Sequence, residues 1–453
     1  MKDNTKLTKD IIILTINCGS SSVKYSLFHW DEHNLLAEGI VERIGLKGSF
    51  IRHSVPKRDD YLKEEVVPDH HEAIKLILHI LTDEKVGVIS DLNLITAVAH
   101  RVVHGGEYFT KSVLIDGPNG KIVKTFRNLS SLAPLHNPVN ILGIESAMEI
   151  LPNIPHIAVM DTAFLQTMPK HTFLYAIPYR YYTQYHIRKY GFHGTSHLYV
   201  SRRAAALLKK KSNEVNLITC HIGNGVSFTA IKNGLAYDHS MGFTPLEGLI
   251  MGTRSGDIDP AIVGYICEIE QVREERVINI LNKESGLKGI CGYSDRRDIY
   301  YRASEGDEMA QLAIEMEVHR IKKYIGAYMA ILGKVDAVVF TAGAGEKAYW
   351  LREKVLENME NLGIILDKER NKQAVSHYHE FLISTDDSPV KVFVIPTNEE
   401  LVMVEDAVAI LQDRYDIHTK FKYSFEDFDY VNKLREELYE RELKKKEINS
   451  SSK

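Results

Sequence analysis

No apolar run in the 453 residues approaches the roughly 20 that a helix needs to cross a bilayer, so no membrane-spanning segment is expected. The first ten residues, MKDNTKLTKD, are polar and carry no apolar signal core. Cysteine is scarce: Cys18, Cys220, Cys267 and Cys291 share no CxxC spacing, and they read as free thiols of a reducing compartment. The cytoplasm is therefore the expected location. Excess positive charge is also lacking. A net charge of -5 and a pI near 6.5 give no reason to expect a nucleic-acid partner. Neither a GxxxxGK(S/T) P-loop nor a GxGxxG kinase loop occurs, which removes two nucleotide-binding folds. What remains is an ordinary globular composition, 44% hydrophobic and 26% charged, in a chain long enough for two or three cores.

The stretch around which the chain is organised is IIILTINCGSSSVKYSLF, Ile11 to Phe28. A β-branched run too short for a helix reaches Gly19-Ser20-Ser21-Ser22, and a second strand follows. Such a turn gathers backbone N–H groups, hydroxyls and one cation, Lys24, as a polyphosphate requires. An isolated GSSS is equally consistent with a plain hairpin. A second copy shifts the balance: NLITCHIGNGVSFTAI, Asn216 to Ile231, again carries a strand, a polar residue (His221), a glycine turn (Gly223-Asn224-Gly225) and a returning strand. Two such hairpins about two hundred residues apart predict a duplicated domain, each copy opening on a cleft.

In chain order, the spacing predicts a helix over 69–82 and a strand entering AHRVVHGG. His100 and His104 stand four apart. The flanking strand and the missing HExxH glutamate argue against a metal pair. PLHNP opens a helix over 139–151 with Ile141, Leu142, Ile144 and Ala147 inward. A buried strand over 157–161 ends on Asp161, either a phosphate- or metal-water-orienting carboxylate or a helix cap. His193 lies between glycines before a helix, in YGFHGTSH, and is structural or functional with equal support from the residues alone. MGFTPLEGLIMGTRSGDIDP is a long glycine-punctuated loop carrying Arg254, whose partner is either Asp257 or Asp259 or a ligand. A long helix over 309–332, a buried strand and Gly343-Ala344-Gly345-Glu346 come next, then a strand over 390–395 and a helix to Leu411. The charged tail from about Asp416 shows no periodic apolar face and reads as an exposed helix or a disordered segment.

INCGSSSVK, AHRVVHGG, PLHNP, DTAF, YGFHGTSH, HIGNG, MGFTPLEGLIMGTRSGDIDP, FTAGAGE and IPTNEEL occur in the order of the acetate kinase family, which the chain closely resembles from Ile11 to Leu411. The resemblance implies an α/β protein with two duplicated ribonuclease-H-like domains, the actin-like ATPase fold, facing each other across a cleft. The implied division is 1–162 plus 398–415 for an acyl-side N-terminal domain, 163–397 for a nucleotide-binding domain, and 416–453 for a C-terminal extension. It also implies a cytoplasmic homodimer that moves the γ-phosphoryl of ATP reversibly to acetate, giving acetyl phosphate and ADP, with Mg2+ or Mn2+ as the metal.

Under that resemblance, Asp161, His193 and Arg254 are catalytic. Arg101 clamps the acetate carboxylate, and Val103, Leu135, His136, Phe192 and Pro245 complete the acetate site. Lys24 and the turn His221, Ile222, Gly223, Asn224 and Gly225 cradle phosphates. Asp295, Arg296, Arg297 and Gly343, Ala344, Gly345, Glu346 and Lys347 flank the nucleotide, while Asn17 and Glu399 hold the metal. The chemistry accounts for these types. The acceptor carboxylate is already ionised at pH 7, so no general base is required, and cations must bring two anions together. Three positions depart from the family pattern: Leu165 replaces a histidine, Arg296 an apolar residue and Lys347 an asparagine. The last two leave the phosphoryl donor open, pyrophosphate included. The competing readings are a propionate or short-chain acyl kinase and a non-catalytic ATP-gated binding protein.

Overall fold

Strand β1 (Ile12–Gly19) is β-branched and apolar on both sides, so both of its faces are buried, and this sets the layering of the first half of the chain. In the computed structural model, which describes residues 10–134 and 136–451, β1 is the inner strand of an eight-stranded sheet. It pairs antiparallel with β2 (Ser22–His29) and parallel with β6 (Ala97–Val102). Outward from β2 lie β3 (Asn34–Glu42), β4 (Phe50–Ser54) and β5 (Tyr61–Glu64). Beyond β6 lie β8 (His156–Met160), parallel, and β7 (Val113–Leu114), antiparallel. Ile12, Leu14, Ile16 and Cys18 pack with helix His70–Leu81 and with Ala147 and Leu151. Ile13 and its neighbours Ala97, Ala99 and Val159 pack with Met403, Val404, Ala407 and Val408 of helix Glu399–Leu411. Each fully buried Ile or Leu contributes roughly 1.5–3 kcal/mol by its removal from water.

A second sheet repeats this order. Strand β9 (Leu217–Ile222) pairs antiparallel with β10 (Val226–Lys232) and parallel with β12 (Ala337–Thr341). Strand β11 (Leu235–His239) extends the β10 side, and β14 (Lys391–Val394), parallel, and β13 (Phe381–Leu382), antiparallel, extend the other. Both sheets thus share three antiparallel strands, two added parallel strands and an antiparallel edge. The first hairpin turns through Ser20-Ser21 and the second through Gly223-Asn224-Gly225.

Contacts divide the described chain into two units, residues 10–164 with 398–423, and residues 165–397 with 424–451. Helix Lys433–Ser451 is charged and carries no marked apolar face, as its composition predicts. Free it is not. Tyr423 and Phe425 are fully buried, Phe425 lies against Tyr199, and Arg435 donates to the carbonyls of Pro396 and Thr397 at 2.9 and 2.6 Å. A correction concerns helix Asn137–Ile150, where Leu142 points outward (41% exposed) while two asparagines turn inward. Leu135 and residues 1–9 lie outside the described residues.

Candidate functional site

In the first unit, β1, β6 and β8 are parallel, so the residues at their carboxyl ends share one edge of the sheet, where α/β folds bind ligands. These residues are Asn17, Arg101 and Asp161. Asp161 accepts two hydrogen bonds from Arg101, from Nε at 2.8 Å and from Nη2 at 2.6 Å. That contact occupies one edge of the guanidinium and leaves the Nη1/Nη2 fork, the bidentate edge, for another carboxylate. Glu399, first residue of its helix, has Oε2 3.8 Å from Arg101 Nη1. Burial alone would lower the Arg101 pKa, but Asp161 and Glu399 outweigh it and hold the guanidinium charged. Burial holds the Glu399 carboxyl well above the usual carboxylate range, against the opposing pull of Arg101, with Asp161 and Glu400 adding to the rise. A carboxylate this poorly compensated suits a hard cation that keeps most of its water. Lys24 is exposed opposite Asn17 in the hairpin register.

The loop after β6 is fixed by two residues whose role the motif reading missed. Asn140 accepts from Val103 N–H and donates to the Cys18 carbonyl, at 3.0 and 2.9 Å. Asn137 does the same across His104, accepting from its N–H and donating to its carbonyl. Their signal was visible: amides at i and i+3 on a helix face that should have been apolar. His136 caps that helix, and Val103 is half-buried at the start of the fixed loop.

In the second unit, the turn after β9 is the centre. A Cβ placed on Gly225 would lie 3.1 Å from His193 Cε1 and 3.5 Å from Arg254 Nη1, so ring and guanidinium both face that glycine. His193 stacks on His221 with ring centroids 4.2 Å apart, and its Nδ1 lies 2.8 Å from Ser227 Oγ. Ser227 Oγ also meets His197 Nε2 at 2.8 Å, and His197 Nδ1 meets Thr219 Oγ1. His239 accepts from Phe192 N–H at Nε2, so its proton sits on Nδ1, towards Thr229. Burial, with neighbouring histidines (and Lys189 beside His239), holds His197 and His239 far below the usual imidazole pKa, hence neutral. The histidine scaffold behind His193 was not legible in the motifs, because its members are spread over 42 residues. His193 caps helix Gly194–Leu207 with φ 58°, and Ala342 opens helix Ala342–Lys347 with φ 63°. Left-handed non-glycine residues of this kind cluster where sites are held under strain.

Arg254 resolves the alternative left open by its sequence neighbours. Asp257 is engaged by Gly248 N–H at 2.8 Å, Tyr324 O–H at 2.7 Å and Arg320 at 3.6 Å, and Asp259 caps Ala261 N–H. Among the described residues no carboxylate pairs with Arg254, whose Nη1 finds only the Pro245 carbonyl at 3.4 Å and Met251 Sδ at 3.8 Å. Burial lowers its pKa with nothing opposing.

The other flagged positions are placed as follows. Leu165 is fully buried and fills the space under Gly191, where a Cβ would meet it at 2.5 Å. Phe192 is buried, and Pro245 is half-buried. Asp295 caps the helix Arg296–Ser304 and pairs with the exposed Arg297, which holds its carboxyl down at about 2. Arg296 turns inward to Glu317 and the Gly223 carbonyl. Glu346 accepts from Thr397 N–H and pairs with His377, while Lys347 is exposed at the helix end beyond Gly343, Ala344 and Gly345. Ile222 is buried at the end of β9, and Asn224 is exposed at the tip of the turn.

Two sheets of one strand order, with glycine turns and cations at the ends of their parallel strands, define the duplicated actin-like ATPase fold of acetate and propionate kinases. Residues 12–405 match the profile of the acetokinase family. The chain belongs to that family, and it is a phosphotransferase with a carboxyl group as acceptor. Acetate kinase of Geobacter sulfurreducens is 56% identical over 424 residues, 93% of this chain and 100% of that protein. Acetate kinase of Treponema pallidum is 52% identical over 437 residues, 96% of this chain and 97% of that protein. Among solved structures, acetate kinase of Porphyromonas gingivalis has a TM-score of 0.83 at 45% identity, covering 88% of this chain and 100% of that one. A propionate kinase from Francisella tularensis has a TM-score of 0.81 at 41% identity, covering 87% and 98%.

Proposed function

We propose that the enzyme transfers the γ-phosphoryl of ATP reversibly to acetate by direct in-line displacement, giving acetyl phosphate and ADP. One observation carries the reading: Arg254 is a half-buried cation with no carboxylate partner among the described residues, aimed with His193 at a glycine turn. A desolvated guanidinium left in that state is unfavourable unless an anion comes to it. The oxygens of the transferring phosphoryl group are that anion, and the charge they spread in the transition state is what Arg254 and His193 stabilise. The turn 221–225 holds the remaining phosphates, and Asp295, Arg297 and residues 343–347 flank the nucleoside. On the acceptor side, Arg101 presents its Nη1/Nη2 edge to the acetate carboxylate. Asp161 acts through Arg101 by fixing its orientation. Val103 and His136, on the same unit as Arg101, border the remainder of the acid. The acetate oxygen attacks as an anion, so no residue needs to remove a proton.

Asn17 and Glu399 are the residues that would hold Mg2+ or Mn2+. Bound there, the ion would neutralise phosphate charge. The four cysteines are free, and burial pushes Cys18 up to about 12 and Cys220 well above its ordinary value, which suits unreactive thiols of a cytoplasmic enzyme. Among the described residues no helix is long and apolar enough to cross a membrane. We also infer a homodimer. Helix Ala261–Glu270 is apolar yet has no buried residue, with Ile262, Tyr265 and Ile269 39%, 65% and 59% exposed, and a second copy would cover it. A Tyr265→Lys, Ile269→Lys variant should elute as a monomer. An unchanged dimer would move the interface elsewhere.

The likeness to a propionate kinase keeps a second acceptor in view. One methylene changes binding by only about 1–3 kcal/mol, so discrimination between the two acids should not exceed roughly 200-fold. A matrix of ATP, GTP and pyrophosphate against acetate, propionate and butyrate tests the whole reading. ATP with acetate should give the highest kcat/KM. Nucleotide binding without acyl phosphate from any acid would overturn it in favour of a binding protein.

A further inference from the structure

Arg296 does not face outward as Arg297 does. Its Nε and Nη2 both donate to Glu317 Oε1, at 2.8 and 2.6 Å, and its Nη1 donates to the Gly223 carbonyl at 2.8 Å. Arg296 is 7% and Glu317 1% exposed. Both sit beside an apolar cluster of Ile250, Leu287, Ile299, Ala310, Ala313 and Ile314, an expensive place for two charges. Glu317 has a rigid origin, the 25-residue helix Glu308–Leu332, capped by Asp307 at Met309 and Ala310 N–H. From that helix a line of contacts runs through Glu317 and Arg296 to Gly223. Gly223 N–H in turn donates to the Gly225 carbonyl at 3.0 Å, and His193 and Arg254 lie over Gly225. In the first hairpin the matching glycine carbonyl, Gly19, is held by His70 Nε2 at 2.7 Å. Each glycine turn thus has its carbonyl tied to a side chain from outside its own sheet.

We propose that Arg296 and Glu317 form a positioning pair that sets the phosphate turn 223–225. The pair does not touch the nucleotide. This rests on the reading of that turn as the phosphate cradle. A fork with two donors on a carboxylate and the third on a backbone carbonyl fixes the carbonyl in direction as well as distance. An apolar residue at 296 would leave the Gly223 carbonyl without this donor, and a shift of about 1 Å in such a turn costs roughly 10- to 100-fold in rate.

The test is a set of four full-length variants, Arg296→Met, Glu317→Met, the double Arg296→Met/Glu317→Met, and Gly225→Ala, each assayed for Tm and for kcat and KM of both substrates. The single methionine variants should lose stability, because each strands one buried charge. The double should regain most of the wild-type Tm, because the charges leave together. Its kcat/KM for ATP should nonetheless stay down about 10-fold or more, with KM for acetate unchanged. If the double variant recovers kcat/KM for ATP along with Tm, the pair is only structural and the proposal fails. It also fails if the acetate KM rises as much as the ATP KM. Gly225→Ala separates the two levels. It should raise the ATP KM by crowding His193 and Arg254. If it leaves the ATP KM at the wild-type value, the phosphate-cradle reading itself falls.

Discussion

Replacing Arg254 by methionine should have opposite effects on activity and on stability. Among the described residues the guanidinium donates to no carboxylate, and its polar contacts are a 3.4 Å carbonyl and a 3.8 Å sulfur. Burial lowers its pKa unopposed, so the cation is a cost to the folded, ligand-free chain. Methionine keeps the apolar stem and removes the charge, and Tm should hold or rise. Turnover should collapse. Arginines on a transferring phosphoryl group contribute about 10³–10⁵ in kcat, or about 4–7 kcal/mol of barrier. Acetyl phosphate formation trapped as the hydroxamate, scanning fluorimetry and a nucleotide titration measure the three quantities. The expected pattern is kcat down by about three orders or more, nucleotide Kd changed by less than about 10-fold, and an undiminished Tm. A fall in Tm with kcat retained would show that Arg254 is a structural residue and would refute the reasoning.

Two further outcomes follow from the same geometry. Arg101→Lys should raise the acetate KM about 100-fold or more while leaving the ATP KM near wild type, since an ammonium cannot satisfy Asp161 and a second carboxylate as a fork does. Equal loss on both substrates would contradict the division of roles. Asp406 is fully buried among Ser112, Tyr423 and Tyr415, and burial pushes its carboxyl up to about 6. Its native pKa lies above the unfolded value, so the native state holds the extra proton, and stability falls as pH rises through about 4 to 6. The cost at full ionisation is about 3 kcal/mol, of which about 1.4 kcal/mol is relieved between pH 8 and pH 5. Denaturant titrations should therefore show the wild type gaining on Asp406→Asn as the pH drops from 8 to 5. A constant difference would remove the buried-carboxylate argument.

Much of this arrangement was readable before any coordinates. The β-branched run at Ile11–Ile16, its serine turn and the His221–Gly225 repeat pointed to duplicated hairpins, and two sheets of one strand order are what they became. Local signals of this sort survive because turn chemistry and strand burial are fixed within a few residues. Long-range pairings were not readable. Whether Arg254 met Asp257 depended on Tyr324 and Arg320, some 70 residues on, which engage that aspartate first. Arg296 resembled a nucleotide contact because Glu317 lies on another helix. The tail looked unanchored because its anchors are single residues, Phe425 and Arg435, with no repeating face.

The central claim is that arginine cations carry a direct transfer between two anions, with no base and no phosphorylated enzyme. The stereochemical course at phosphorus tests it most directly, using ATP made chiral at the γ-phosphoryl with oxygen isotopes and acetate as acceptor. A single in-line displacement predicts inversion of configuration in the acetyl phosphate. Retention would mean two successive displacements through an enzyme-bound phosphoryl group, and would contradict the account.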